Sequence, residues 1–209
     1  GSLNDATIPL AQFGATEDWG GHRSSKAWYG LFGDLATSTD VRASLFWTDG
    51  HNFEMEDYKE WTDGYPSIKF RNTSFSGSSV PSSFSSTDFP LFRLADAYLM
   101  YAECALRGAS NANIGTAVQY VNAVRTRSNA NSINEGNLTL QFIIDERGRE
   151  LNLEGHRRTD LIRFGMFTGG SYLWPWKGGV MNGTSIPEYY NLYPIPSSAL
   201  QANPNLSQN

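Results

Sequence analysis

Glu146, Glu150 and Glu154 recur at four-residue spacing within residues 145–165, a run that also carries Arg147, Arg157, Arg158, Asp160 and Arg163. On a helix that spacing puts the three carboxylates on one face, where like charges repel unless cations neutralise them. Paired carboxylates are the machinery of glycoside hydrolysis, in which the two groups stand about 5 to 10 Å apart across the scissile bond. Neighbours four apart meet that distance loosely, but they point side by side instead of flanking a substrate. Nearby arginines would also depress the pKa of the very group that a general acid needs raised. The pattern therefore predicts a structural ion-pair network rather than a catalytic pair, with Arg157, Arg158 and Arg163 as the obvious cations.

Other catalytic constellations are missing from the sequence. His22, His51 and His156 have no second His or Cys at metal-ligand spacing, so no metal site is expected. There is no nucleophile elbow, phosphate-cradling loop or dinucleotide fingerprint, and no cofactor is expected. The single cysteine, Cys104, excludes an intrachain disulfide; set between Ala102 and Ala105 in an apolar stretch, it reads as a buried, inert thiol. The chain is expected not to be an enzyme.

Such residues need elements to hold them. With 209 residues and 40% hydrophobic content the chain can bury a core. Its net charge of -5, with no basic run, argues against nucleic acid. No apolar stretch approaches the roughly 20 residues that cross a bilayer. Gly1-Ser2 reads like a cloning scar, and the abrupt start at Leu3 suggests a fragment whose natural N-terminus is missing. Aromatics are abundant, with six Trp and ten Tyr, and many sit in Gly-rich or polar segments, a pattern that hints at ligand contact.

Residues 3–87 lack helical periodicity and read as loops, with strand-like runs at 43–47 and 68–70 that could form a small β-hairpin. Asp88 is placed to cap a helix running to Leu106, which Gly108 stops. A second helix carries Ala117, Val118, Val121 and Val124 and ends at Arg125 and Arg127. Joined by a short link, the two should pack antiparallel as a tetratricopeptide-like pair, with Ala95, Ala102 and Ala117 allowing close approach. A third helix is expected over 138–154 and a short one over 159–164. After Gly165 the glycine pairs and Pro175, Pro187, Pro194, Pro196 and Pro204 predict an irregular wrapping tail. The fold class expected is mainly α, with long irregular loops.

Within this frame the segments RLADAYLMYAECAL, YVNAVRTRSN, IIDERGRELNLEGHRRTDLIRFG, NLYPIP and NPNLSQN occur in the order and spacing of the SusD/RagB C-terminal region. Asp40-Val41-Arg42 and Ile68-Lys69-Phe70 also resemble that family upstream, whereas Gly148 departs from it where a helix former is expected. The resemblance implies an outward-facing lipoprotein of a Bacteroidetes-type outer membrane. Such proteins bind glycan without cleaving it and sit as a lid on a SusC-like TonB-dependent transporter, anchored through an N-terminal lipidated cysteine that this chain lacks. It also implies two regions, a loop-rich segment at 3–87 and a helical region with closing tail at 88–209, together one domain of a larger protein. Sugar recognition needs flat aromatic faces flanked by polar groups. The candidates are Trp19 with Asp18, His22 and Arg23; Trp28 with Tyr29; Trp47, Asp49 and Asn52 with Trp61, Asp63 and Tyr65; and Trp174 and Trp176 with Lys177. Each could equally be a core plug. Arg93, Glu103, Arg125, Glu150, Arg157 and Asp160 are expected to matter for stability without touching a glycan.

Overall fold

The computed structural model describes residues 8–17, 22–74, 76–78 and 82–209. It divides into two compact units, residues 1–157 and 158–209. The described residues are mainly helical: α1 (Lys26–Tyr29), α2 (Leu94–Leu106), α3 (Ile114–Arg127), α4 (Leu140–Glu150), α5 (Arg157–Arg163) and α6 (Ser197–Ala202), with short 3-10 turns between them. None of these helices is long and apolar enough to cross a membrane.

In the first unit, α2 packs on α3 and α4. Ala95, Leu99 and Ala102 of α2 and Ala117, Val121 and Val124 of α3 are buried, and the small side chains let the backbones come close. Burying a residue such as Leu99 contributes roughly 2 kcal/mol. Tyr98 stacks on Tyr120 at 4.3 Å and 5° along the same seam. The Asn113 side chain caps α3 by accepting from the Thr116 amide at 3.0 Å, and Thr139 caps α4 through the Phe142 amide at 3.1 Å.

Three expectations need correction. α2 starts at Leu94, not after Asp88, because Phe89 precedes Pro90 and a residue before proline is pushed out of helical geometry. Cys104 is exposed, not buried: α2 turns Leu94, Met100 and Cys104 outward while Leu99 and Ala102 face in. The runs at 43–47 and 68–70 make no hairpin. The Asp40 carboxylate accepts from the Arg42 amide and turns Val41–Leu45 into a 3-10 helix, leaving one antiparallel bridge between Phe46 and Ser67. Among the described residues extended segments pair only as isolated bridges.

The loop-rich part of this unit has its own core, where Tyr29, Phe46 and Tyr65 are buried against Trp28, Phe32 and Leu35. Tyr29 and Tyr65 lie 4.3 Å apart, and the Tyr29 hydroxyl donates to the Phe53 carbonyl. Burial pushes the Tyr29 hydroxyl's pKa well up, so it stays a donor.

The second unit holds its breaker-rich chain with local contacts. A single bridge joins Gly169 to Ile186. Lys177 is buried, and its ammonium donates to the carbonyls of Gly169 at 2.8 Å and Tyr172 at 2.7 Å. Gly178 has φ +65°, and a Cβ there would stand 2.6 Å from the Thr184 methyl, so glycine is required.

Candidate functional site

The carboxylates that the sequence placed on one helical face are divided by the end of α4. The helix stops at Glu150, and Leu153, with a positive φ of 59°, reverses the chain so that Glu154 stands in the following turn. All three carboxylates are buried. Arg42 donates to Glu146 and to Glu150, each at 2.8 Å, while its other contacts go to Asp40. Arg125 and Arg149 reach Glu146 at 2.7 and 2.9 Å, and Arg127 reaches Glu150 at 2.6 Å. Arg93 bridges Glu150 and Glu154, and Lys69 pairs with Glu154. Arg147 pairs with Asp96 of α2 at 2.7 Å.

Burial works to raise the pKa of each glutamate, but the cations win. Arg149, Arg42 and Arg125 carry Glu146 below the usual carboxylate range, and Arg93 and Lys69 do the same for Glu154. Hydrogen bonds from Arg127 and Arg93 bring Glu150 down to about 2. None of them can hold the proton that a general acid donates near neutral pH.

The expected cations lie elsewhere. Arg157 donates to the Ile144 carbonyl at 2.8 Å, and within the second unit Arg163 pairs with Asp160 at 2.7 Å and Arg158 donates to the Tyr190 carbonyl at 2.7 Å. Loop side chains close the end of α4. The Trp28 indole donates to the Gly148 carbonyl, Arg93 and Lys69 to the Glu150 carbonyl, and Lys69 also to that of Asn152. Gly148 is small because Leu31 and the Arg157 guanidinium press on it; a Cβ there would lie 2.8 Å from the Leu31 methyl.

The aromatic candidates of the first unit separate into three groups. Trp47 and Tyr65 share one cavity of about 510 Å³, whose wall also includes Phe46, Phe53, Leu35 and the acidic Asp34 and Asp49. Trp47 meets Phe13 edge-on at 6.3 Å, and the Asp34 carboxylate accepts from the Ala36 amide and the Thr37 hydroxyl, both at 3.0 Å. Trp61 stands in a neighbouring loop, edge-on to His51 at 5.3 Å and under the Arg23 guanidinium at 5.2 Å. Arg23 also donates to the Asp63 carbonyl, while the Asp63 carboxylate accepts from Asn52 and from the amides of Glu56 and Asp57. Those hydrogen bonds, Asn52 first, hold Asp63 below the ordinary carboxylate range. Trp28 is committed to the aromatic core and to Gly148.

Trp174 and Trp176 belong to the second unit. Trp174 stacks on Phe167 at 5.9 Å and 24° and carries the Lys177 ammonium 4.5 Å from its ring. Trp176 takes a left-handed conformation, φ 69°, at the start of the turn Lys177–Gly179. Trp19 lies outside the described residues. Among the described residues no cluster of His, Cys, Asp or Glu could hold a metal ion.

Sequence reasoning missed Phe46, Phe53 and Asp34 as cavity walls and Arg42 and Lys69 as partners of α4. The sole signals for the last two were the triplets around them, because spacing along one helix says nothing about side chains arriving from distant loops.

Fold and site together describe an α-helical scaffold, built on a tetratricopeptide-like pair, that carries an aromatic-lined cavity in its loops. Residues 19–209 match the SusD family. The chain is 48% identical over 179 residues to the starch-binding protein SusD of Bacteroides thetaiotaomicron, covering 84% of this chain and 31% of that protein. It is 40% identical over 124 residues to the SusD-like protein P25 of Formosa agariphila, covering 56% of this chain and 22% of that one. A solved SusD superfamily protein from Bacteroides thetaiotaomicron superposes with a TM-score of 0.64 at 23% identity, covering 94% of this chain and 42% of that one, a likeness of fold alone. The chain belongs to the SusD family. It spans 31% and 22% of the lengths of the two curated relatives.

Proposed function

We propose that the full-length protein carrying this chain is a surface lipoprotein of the outer membrane that binds oligosaccharides and passes them uncleaved to a SusC-like TonB-dependent transporter. In this reading residues 3–87 supply loops and residues 88–209 the helical scaffold with its closing segment. The observation that carries it is the cavity at Trp47 and Tyr65. Its apolar aromatic wall suits the C–H face of a pyranose, and Asp34 and Asp49 in its lining suit the sugar hydroxyls. Kinship with a starch-binding protein supports a neutral glucan as the first ligand to test. The arginine-held carboxylates support binding without hydrolysis.

The test is calorimetry of the full-length protein with maltoheptaose, amylopectin and a panel of other neutral glycans, with reducing ends assayed in parallel. Binding of one glycan class, weakened in Trp47→Ala and unaccompanied by new reducing ends, is the expected result. Release of reducing sugar by the wild-type protein would overturn it in favour of a hydrolase. Failure to bind any glycan would leave a protein adaptor, a second reading that draws on the exposed apolar strip of Phe89, Leu91, Phe92 and Leu94.

A further inference from the structure

The second unit contains a ladder of rings and cations. The Tyr193 ring lies 4.1 Å from the Arg158 guanidinium, and the same guanidinium is 4.9 Å from Phe167. Phe167 stacks on Trp174, which carries the buried Lys177 ammonium on its ring. Lys177 fixes one end through the carbonyls of Gly169 and Tyr172. The other end opens to solvent, since Tyr193 is 74% exposed although Arg158 lies against its ring. Its accessible surface is therefore the face and edge turned away from Arg158. Beside it, Arg158 donates to the Tyr190 carbonyl, Tyr190 and Tyr189 lie 4.6 Å apart at 30°, and these two tyrosines are 48% and 58% exposed.

Exposed aromatic side chains are normally free to rotate, and a ligand that stacks on them must order them first. Here the ordering is already supplied by stacking and by hydrogen bonds, which is what a contact surface for a weakly bound ligand requires. The chemistry of that ligand follows from what remains available. The Arg158 cation is engaged by two rings and a carbonyl, which leaves little to draw an anion, whereas the tyrosines offer apolar faces bordered by hydroxyl donors and acceptors. That combination matches a neutral pyranose, with a C–H face and a rim of hydroxyls.

We propose that Tyr193, with Tyr189 and Tyr190, forms a second stacking platform for neutral pyranosides, separate from the cavity at Trp47 and Tyr65. It rests on the reading that the full-length protein binds glycan, and it adds a contact that a long chain can use together with the cavity or alone.

The test is affinity electrophoresis of the full-length protein in gels containing amylopectin or another neutral polysaccharide of the panel. Wild type is compared with Tyr193→Ala/Tyr189→Ala, Tyr193→Phe and Trp47→Ala, with thermal unfolding as the folding control. The alanine pair is expected to weaken retardation roughly three- to tenfold, while Tyr193→Phe, which keeps the ring and the ladder and loses only the hydroxyl, weakens it less than the pair does. If the alanine pair lowers the unfolding temperature, Tyr189→Ala alone, which leaves the ladder intact, must still show a measurable loss. Wild-type retardation unchanged in every tyrosine variant overturns the platform and leaves glycan binding standing. If those variants instead lose co-purification with the transporter, the tyrosines form a protein contact and the proposal is equally overturned. A wild type that no glycan retards or titrates overturns the functional reading itself, and the platform with it.

Discussion

Arg42 and Glu150, 108 residues apart in sequence, meet at 2.8 Å in the interior of the first unit. Glu150 also receives Arg93 and Arg127, so its carboxylate is surrounded by three guanidinium groups. A buried pair gains little net energy over an apolar replacement of the same shape, but removing one partner strands the others. Glu150→Gln should therefore cost about 3 to 5 kcal/mol in urea unfolding of the chain. A loss below about 1 kcal/mol would mean that the network behaves as exposed surface pairs do.

The same network sets the response to acid. Glu150 titrates at about 2 in the folded chain against 4.5 for its ordinary value, and Glu146 and Glu154 move in the same direction. A depressed folded-state pKa contributes stability that is fully present above the unfolded value and is lost as pH falls towards the folded one. Glu150 alone accounts for roughly 3 kcal/mol by this linkage. The urea midpoint should hold near pH 6 and fall steeply from about pH 4.5 downwards. A midpoint level to pH 3 would contradict it.

Lys177 fastens the second unit by donating to two backbone carbonyls. Lys177→Met keeps much of the stem and removes the ammonium, leaving the Gly169 and Tyr172 carbonyls short of a donor at a cost of about 1 to 3 kcal/mol. Amide hydrogen exchange should accelerate across residues 169–186 and stay unchanged in α2 and α3. Uniform acceleration throughout the chain would show that the lysine acts globally instead.

Cys104 lies on the exposed face of α2. A thiol reagent such as dithionitrobenzoate should modify it in the native 209-residue chain at a rate close to that of the denatured chain. Protection by more than about a hundredfold would mean that the face is covered, as for an inert core thiol.

Local pattern carried the helix pair well. The apolar spacing of Leu99, Ala102, Val121 and Val124 marks the buried seam because a helix's neighbours in space are its neighbours three and four residues along. The same pattern misled at the end of α4, where Leu151 and Leu153 continue the apolar rhythm although the backbone has reversed at Leu153. It misled again at Cys104, since α2 is apolar on both faces and the exposed face holds Leu94 and Met100. The cavity was half visible. Trp47 and Tyr65 were picked by residue type, but Phe46, Phe53 and Asp34 gather there only through the turn at Val41–Leu45 and the core around Tyr29. The cations of Glu146 and Glu150 depend on chain crossings that no spacing rule reports.

The closure of α4 by Trp28, Lys69 and Arg93 ties two differently composed stretches into one cooperative event. A helix terminus leaves its final carbonyls without partners inside the helix, and here the donors come from segments distant in sequence. Melting either stretch strands polar groups in the other, so residues 8–157 should unfold in one transition. A cut near residue 87 would yield two pieces that each fail to fold, in place of a loop peptide and an autonomous helical module.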